Sequence, residues 1–268
     1  MVKKYLRVDD DLINQKESFN KRAEKYYKLR NGKRQILLRN LLFQDLFREI
    51  KIKKKKIMVL EPMCGYGEGK RIIEKYFDNE ICYEGFDYSD EIVKFAINYT
   101  EGGQIYIQDV TSFTSSKKYD IIMIIGGLHH VPDYSMKVMS NLSGLLNQDG
   151  IFINVEPTYN NVLYKYLFSY IYKKNINFDE KTERRFSLKE LNHIYSSCGL
   201  RIKTQMNAGL LAYLLWYNPN AFPFLNKGNS TLIKKVYRFD RLFMYNCIGR
   251  LLSMATFSVL EKSIKNND

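Results

Sequence analysis

Acidic side chains close three successive apolar runs of this chain. Glu61 follows Ile57-Met58-Val59-Leu60, Asp87 follows the run from Cys82 to Phe86, and Asp109 follows Gln104 to Gln108. Directly after Glu61 comes Pro62-Met63-Cys64-Gly65-Tyr66-Gly67-Glu68-Gly69. Glycines placed between a strand and a helix let the backbone turn tightly and approach a bound small molecule closely. Asp87 lies 20 residues beyond Gly67. A carboxylate at the end of the second strand can accept hydrogen bonds from both hydroxyls of a ribose. A glycine loop alone is also an ordinary strand-to-helix turn. Its acidic leader and Asp87 are what point to a nucleotide-like ligand.

These residues converge only if the elements carrying them are parallel neighbours. The run Tyr119–Ile125 is continuously apolar, which predicts a central strand, and a fifth run, Ile151–Val155, ends at Glu156-Pro157. Helical patterns lie between the strands: about Glu68–Phe77, a second opening at Ser89 as N-cap, and Tyr134–Leu146. That alternation predicts a parallel α/β sheet, with the acidic ends gathered at one rim, where such sheets bind ligands. After it come a helix at Ser187–Ser197, a sixth strand at Arg201–Met206, a long amphipathic helix at Ser230–Leu252, and a seventh strand at Met254–Leu260. Two helices precede the sheet, Gln15–Leu29 and Lys33–Ile50, the second with Leu38, Leu41, Leu42 and Leu46 on one face. The expected organisation is a helical lid or substrate segment over 1–56 and a sheet domain over 57–268, with helical insertions at about 158–190 and 208–252.

Composition narrows the function classes. With 45% hydrophobic and 14% aromatic residues in 268, the chain can bury a sizeable core and is not a disordered segment. Its four Cys form no C-x-x-C pair, which supports neither a disulfide framework nor a Cys-based metal site. The first residues carry no apolar leader, and the longest apolar run, Ala208–Tyr217, is about half of what a bilayer span needs. A cytoplasmic, soluble protein is the expectation. Residues 1–56 hold 18 basic and 7 acidic side chains, 57–157 hold 7 and 15, and 158–268 hold 17 and 7. Basic ends around an acidic middle suit an anionic substrate, a nucleic acid or an anionic membrane, or are simply a solvated Lys-rich surface.

The stretch Ile57–Pro157 resembles the core of class I S-adenosylmethionine-dependent methyltransferases of the small-molecule type, which have a Rossmann-like, mostly parallel seven-stranded sheet. Glu61 to Gly67 matches the family's first motif, with Glu where Asp is commoner. The resemblance implies that Glu61, Met63, Cys64, Gly65, Tyr66 and Gly67 belong to the loop holding the methionine part of the cofactor. It places Asp87 on the ribose, Tyr88 against the adenine, and Gln108-Asp109-Val110 at the adenine amino group. Ile125-Gly126 and the following Gly127-Leu128-His129-His130-Val131-Pro132 resemble the fourth-strand motif. The G-x-G-x-G spacing separates the chain from nicotinamide dehydrogenases. The absence of an Asn/Asp-Pro-Pro-aromatic motif separates it from nucleic-acid amino-methyltransferases, so a nucleic-acid partner is not expected.

By the same resemblance, His129 and His130 lie beside the sulfonium, and one of them, His130 ahead of His129, is a candidate base for a hydroxyl proton. Both also fit a role in shaping the pocket. Glu156 is a second candidate and His193 a surface or packing residue. The acceptor pocket of such enzymes is built from the N-terminal helices and the insertion after the fifth strand, which here carry Tyr26, Tyr27, Arg30, Tyr159, Arg184 and Arg185. Aromatics with cations suit a planar or anionic acceptor. The implied activity is O-methylation of an anionic sugar, polysaccharide precursor or secondary metabolite. Alternatives are a quinone or lipid methyltransferase at the membrane surface, and an inactive fold acting as a partner subunit. The apolar stretch from Leu210 to Phe224 and the basic helix after it are expected to pack on the core or on a second copy, with peripheral membrane contact as the other reading.

Overall fold

Runs of Ile, Val, Leu and Met bury both faces of a strand, and here they build one seven-stranded sheet. Its strands are β1 (Lys56–Pro62), β2 (Glu80–Asp87), β3 (Gln104–Ile107), β4 (Tyr119–Ile125), β5 (Leu146–Pro157), β6 (Leu200–Met206) and β7 (Ala255–Lys262). The computed structural model describes residues 27–160, 184–217, 219 and 223–263, with scattered positions between 13 and 24. The strand order is β3-β2-β1-β4-β5-β7-β6. The first five strands run parallel, and β7 lies antiparallel between β5 and β6. The order reverses direction between β1 and β4, so a crevice opens at their carboxyl ends.

Helices cover both faces. On one lie α1 (Lys33–Leu46) and α2 (Glu68–Tyr76), with Leu38, Leu42, Phe43 and Ile73 in a core shared with Val59, Met123 and Phe257. On the other lie α4 (Ser135–Leu145) and α5 (Leu188–Ser197), where Leu142, Leu191 and Ile194 pack with Tyr119, Ile122 and Phe152. Between them in sequence, α3 (Asp90–Tyr99) starts at Ser89, whose hydroxyl accepts from the Ile92 N–H at 3.3 Å, as an N-cap should. The apolar face of α1 belongs to the sheet core. The described positions between 13 and 30 are helical.

Two elements depart from the sequence reading. The fifth strand, expected at Ile151–Val155, begins already at Leu146, with a register irregularity opposite Tyr119 and Ile121. The long helix expected at Ser230–Leu252 is two helices, α6 (Ser230–Arg241) and α7 (Cys247–Leu252). Asn246 breaks it: its side-chain oxygen accepts from the Ile248 and Gly249 N–H groups and starts a new helix. α6 buries Ile233, Tyr237 and Asp240, whereas α7 buries only Gly249. Most of the expected insertion at 158–190 lies outside the described residues.

The segment between β6 and β7 is anchored by Gly209. Its N–H donates to the Ala255 carbonyl at 3.1 Å, and its carbonyl accepts from the Met254 N–H at 2.8 Å. A Cβ at Gly209 would lie 2.0 Å from the Ala255 nitrogen, a backbone atom of β7 that cannot step aside. Gly209→Ala is therefore expected to cost about 3 kcal/mol of stability, read by denaturant unfolding.

Candidate functional site

The carboxyl ends of β1, β2 and β4 frame a cleft of about 720 Å³, counting its solvent-open mouth. Met63, Cys64, Gly65 and Tyr66 line it from the glycine loop, Asp87 and Tyr88 from β2, and Ile125, Gly126 and His130 from β4. Phe19 and Arg30 close it from the N-terminal segment. That segment is held across the opening. The Tyr66 hydroxyl donates to the Ala23 carbonyl, and the Ser89 hydroxyl donates to Asn20 Oδ1 at 2.6 Å. Lys16 pairs with Asp90 at 3.0 Å.

Asp87 is buried, and its carboxylate accepts from the Gly65 N–H at 3.1 Å and the Ser89 N–H at 3.0 Å. Burial raises its pKa to about 6 against the pull of these donors. Gly65 and Gly67 are left-handed, with φ of 53° and 69°. A Cβ at Gly65 would meet nothing within 4 Å, so this stretch of backbone borders open space. Met63, at φ 54°, holds the same conformation without glycine's freedom, a strained backbone at the cleft wall.

Glu61 also lines the cleft. It turns back to accept from the Gly69 N–H at 3.2 and 3.0 Å and from the Tyr83 hydroxyl, tying the loop to the start of α2. Burial raises its pKa to about 8. Glu156 at the end of β5 does the same for the turn after β4. It accepts from the N–H groups of Gly127, Leu128 and His129 at 3.2, 2.8 and 3.3 Å. His129 Nδ1 lies 2.8 Å from Glu156 Oε2, and one proton is shared between them. Burial raises Glu156 to about 8, while burial and the nearby Arg185 and Arg30 lower His129 to about 3. The pair is net neutral between those values, whichever side carries the proton. His130, whose ring centre is 4.0 Å from that of His129, meets Phe19 edge-on at 5.2 Å. Burial holds its pKa well below the usual value.

Of the residues expected from the loop, β2 and β4, Glu61, Met63, Cys64, Gly65, Tyr66, Asp87, Tyr88, Ile125 and Gly126 line the cleft, and Gly67 does not. Gln108, Asp109 and Val110 do not line the cleft. Asp109 Oδ1 accepts from the Thr111 N–H at 2.8 Å to close its own turn, and Val110 packs in the core. Of the expected substrate residues, Arg30 lines the cleft, and Arg185 stands close enough to depress His129. The Tyr27 ring stacks on Tyr99 at 4.2 Å and meets Tyr66 edge-on, away from the opening. Arg184 pairs with Glu190 at 2.8 Å on α5, and Tyr159 is exposed. Tyr26 lies outside the described residues. The sequence reading missed a buried ion pair beside the cleft, Arg39 Nε to Glu68 Oε1 at 2.5 Å. Its signal was a lone Arg inside the Leu38–Leu42 stripe.

The sheet order, the glycine loop at the β1–β4 switch point and Asp87 at the end of β2 are those of the class I methyltransferase fold. Solved structures agree. A chain assigned as a methyltransferase, in complex with the Haloferax volcanii Trm112 methyltransferase activator, aligns with a TM-score of 0.62 and 14% identity over 94% of this chain and 99% of its own. The cyclopropane synthase MmaA2 from Mycobacterium tuberculosis aligns at 0.59 and 13%, over 85% and 84%. The StiE O-MT segment aligns at 0.53 and 17%, over 86% and 75%. No protein-family model and no curated protein matches the chain.

Raised carboxylates make stability pH-dependent. Above pH 7 neither the buried histidines nor their unfolded counterparts bind protons, whereas Glu61 and Glu156 still hold theirs only when folded. A group whose folded pKa is raised loses its stabilising contribution as pH climbs through that value. The melting temperature of the unliganded protein is expected to fall from pH 7 to pH 9, and Glu61→Gln should flatten that slope.

Proposed function

We propose that the chain is an S-adenosylmethionine-dependent methyltransferase that methylates a hydroxyl of an anionic small molecule, such as a sugar, a polysaccharide precursor or a secondary metabolite, in the cytoplasm. The observation that carries this reading is the buried Asp87 carboxylate, fixed by the Gly65 and Ser89 N–H groups at the rim of an open cleft. The residues fit the cofactor. Asp87 keeps acceptor capacity for ribose hydroxyls, and Gly65 leaves room for close approach. When bound, S-adenosylmethionine supplies an electrophilic methyl group on a sulfonium. Met63 to Gly67 would hold its methionine part, Asp87 its ribose, and Tyr88 its adenine.

The chain's own contribution is positioning, proton removal and exclusion of water. His130 lines the cleft on the turn after β4, where it is placed to accept a hydroxyl proton, and the burial that holds its pKa well below the usual value also weakens it as a base. Arg30 and Arg185 supply the positive charge that favours an anionic acceptor beside it. The N-terminal segment, strapped to Tyr66 and Ser89, shields the cleft. Much of the rate follows from holding the acceptor oxygen in line with the methyl group.

The test is transfer of an isotope-labelled methyl group to a panel of phosphorylated and nucleotide-linked hydroxyl compounds. A labelled methyl ether is the expected product. Asp87→Ala should abolish it by weakening cofactor affinity more than tenfold, and His130→Ala should lower turnover at least tenfold with affinity retained. Label on nitrogen or carbon would overturn the hydroxyl assignment, and full activity in His130→Ala would remove it as the base.

A further inference from the structure

The helix pair α6 and α7 buries only one side. Ile233 and Tyr237 face α1, where the Tyr237 hydroxyl donates to the Leu41 carbonyl at 2.8 Å and to Asp45 Oδ2 at 2.6 Å. The other side exposes large apolar groups in a row: Leu232 at 45%, Phe239 at 52%, Leu242 at 68%, Ile248 at 45% and Leu251 at 60%. Scattered exposed apolar residues are normal, but a contiguous set on one helical hairpin marks an interaction surface. On α6, Leu232 and Phe239 are seven residues apart and so share one stripe. Lys235 and Arg238 lie beside that stripe and are exposed, as are Lys234 and Arg250.

Charge identifies the occupant. From Lys227 to Leu252 the sole acidic residue is Asp240, which is buried and accepts from the Ala212 N–H at 2.7 Å. The surface therefore combines apolar side chains with cations and carries no exposed acid of its own. A two-fold dimer through this face would set like charges against one another, which disfavours a second copy. An apolar stripe flanked by Lys and Arg is the pattern of a helix lying in the interface of an anionic bilayer. No helix among the described residues is long and apolar enough to cross a membrane.

We propose that α6 and α7 dock the protein on an anionic membrane surface, with Phe239, Leu242 and Leu251 entering the headgroup region and Lys234, Lys235, Arg238 and Arg250 facing lipid phosphates. No residue of α6 or α7 lines the cleft. The docking face is joined to the cleft wall through the Tyr213–Tyr217 turn, where the Arg30 guanidinium lies 5.8 Å from the Tyr217 ring centre, and Trp216 Nε1 donates to the Lys227 carbonyl at 2.8 Å. The inference does not depend on the methyltransferase reading.

The experiment is sedimentation of the full chain with phosphatidylglycerol/phosphatidylcholine vesicles and with phosphatidylcholine vesicles alone, at low and high salt. Binding to the anionic vesicles, weakened by salt, is expected. Neutralising Lys235→Gln with Arg238→Gln should reduce partitioning about 30-fold, from about 1 kcal/mol for each basic residue near the surface. Phe239→Asp with Leu242→Asp should abolish it while leaving the melting temperature unchanged, since both positions are exposed. Equal binding to both vesicle types, or variants that sediment like the parent, would overturn the proposal. So would a parent protein that ignores vesicles but is dimeric by light scattering and becomes monomeric in Phe239→Asp/Leu242→Asp, which would give the face to a second copy.

Discussion

Three carboxylates at strand ends each gather the backbone N–H groups of the turn beside them, and the site depends on this device. Glu61 holds the Gly69 N–H, Asp87 holds those of Gly65 and Ser89, and Glu156 holds those of Gly127, Leu128 and His129. A turn with left-handed residues and no regular pairing leaves its N–H groups orphaned, and a buried orphan is costly. One carboxylate per turn satisfies them and freezes the loop. Asp87 does this from the middle position, so it binds the glycine loop to the start of α3 while facing the cleft. The geometry that fixes the loops is therefore the same geometry that sets the cleft wall.

Burial is the cost of that arrangement, and it sorts the three groups. Glu61 and Glu156 sit deepest and titrate near 8, whereas Asp87 titrates near 6. Two of the carboxylates are thus protonated or proton-sharing structural ties at neutral pH. Asp87 is mostly ionised there and keeps acceptor capacity. On the far wall, the Glu156–His129 pair fixes the turn that presents His130. Glu156 thereby acts as a structural tie behind His130, which lines the cleft.

The fold was legible because the parallel strands read as unbroken apolar runs and the loop carried its glycines at the spacing of a tight turn. The order and direction of β6 and β7 were not legible, since short strands do not announce their partners. Three features were hidden for physical reasons. Asp109 ends a strand as Asp87 does, but it spends its carboxylate on the Thr111 N–H, and no spacing distinguishes the two. Asn246 breaks the last long helix although the apolar period continues across it. Tyr27 and Arg184 belong to the right segments for an acceptor pocket, yet their side chains find Tyr99 and Glu190 instead. Periodicity reports which face is buried, not which neighbour a polar head will choose.

The most direct test of the central claim is calorimetric titration with S-adenosylhomocysteine, with NADH as the control, at pH 5 and pH 8. The Asp87 carboxylate, with a pKa near 6 in the free protein, must be ionised to accept two ribose hydroxyls. The account predicts binding of S-adenosylhomocysteine alone, weaker at pH 5 than at pH 8, with proton release near pH 6. Binding of NADH, or no binding of either compound, would contradict it.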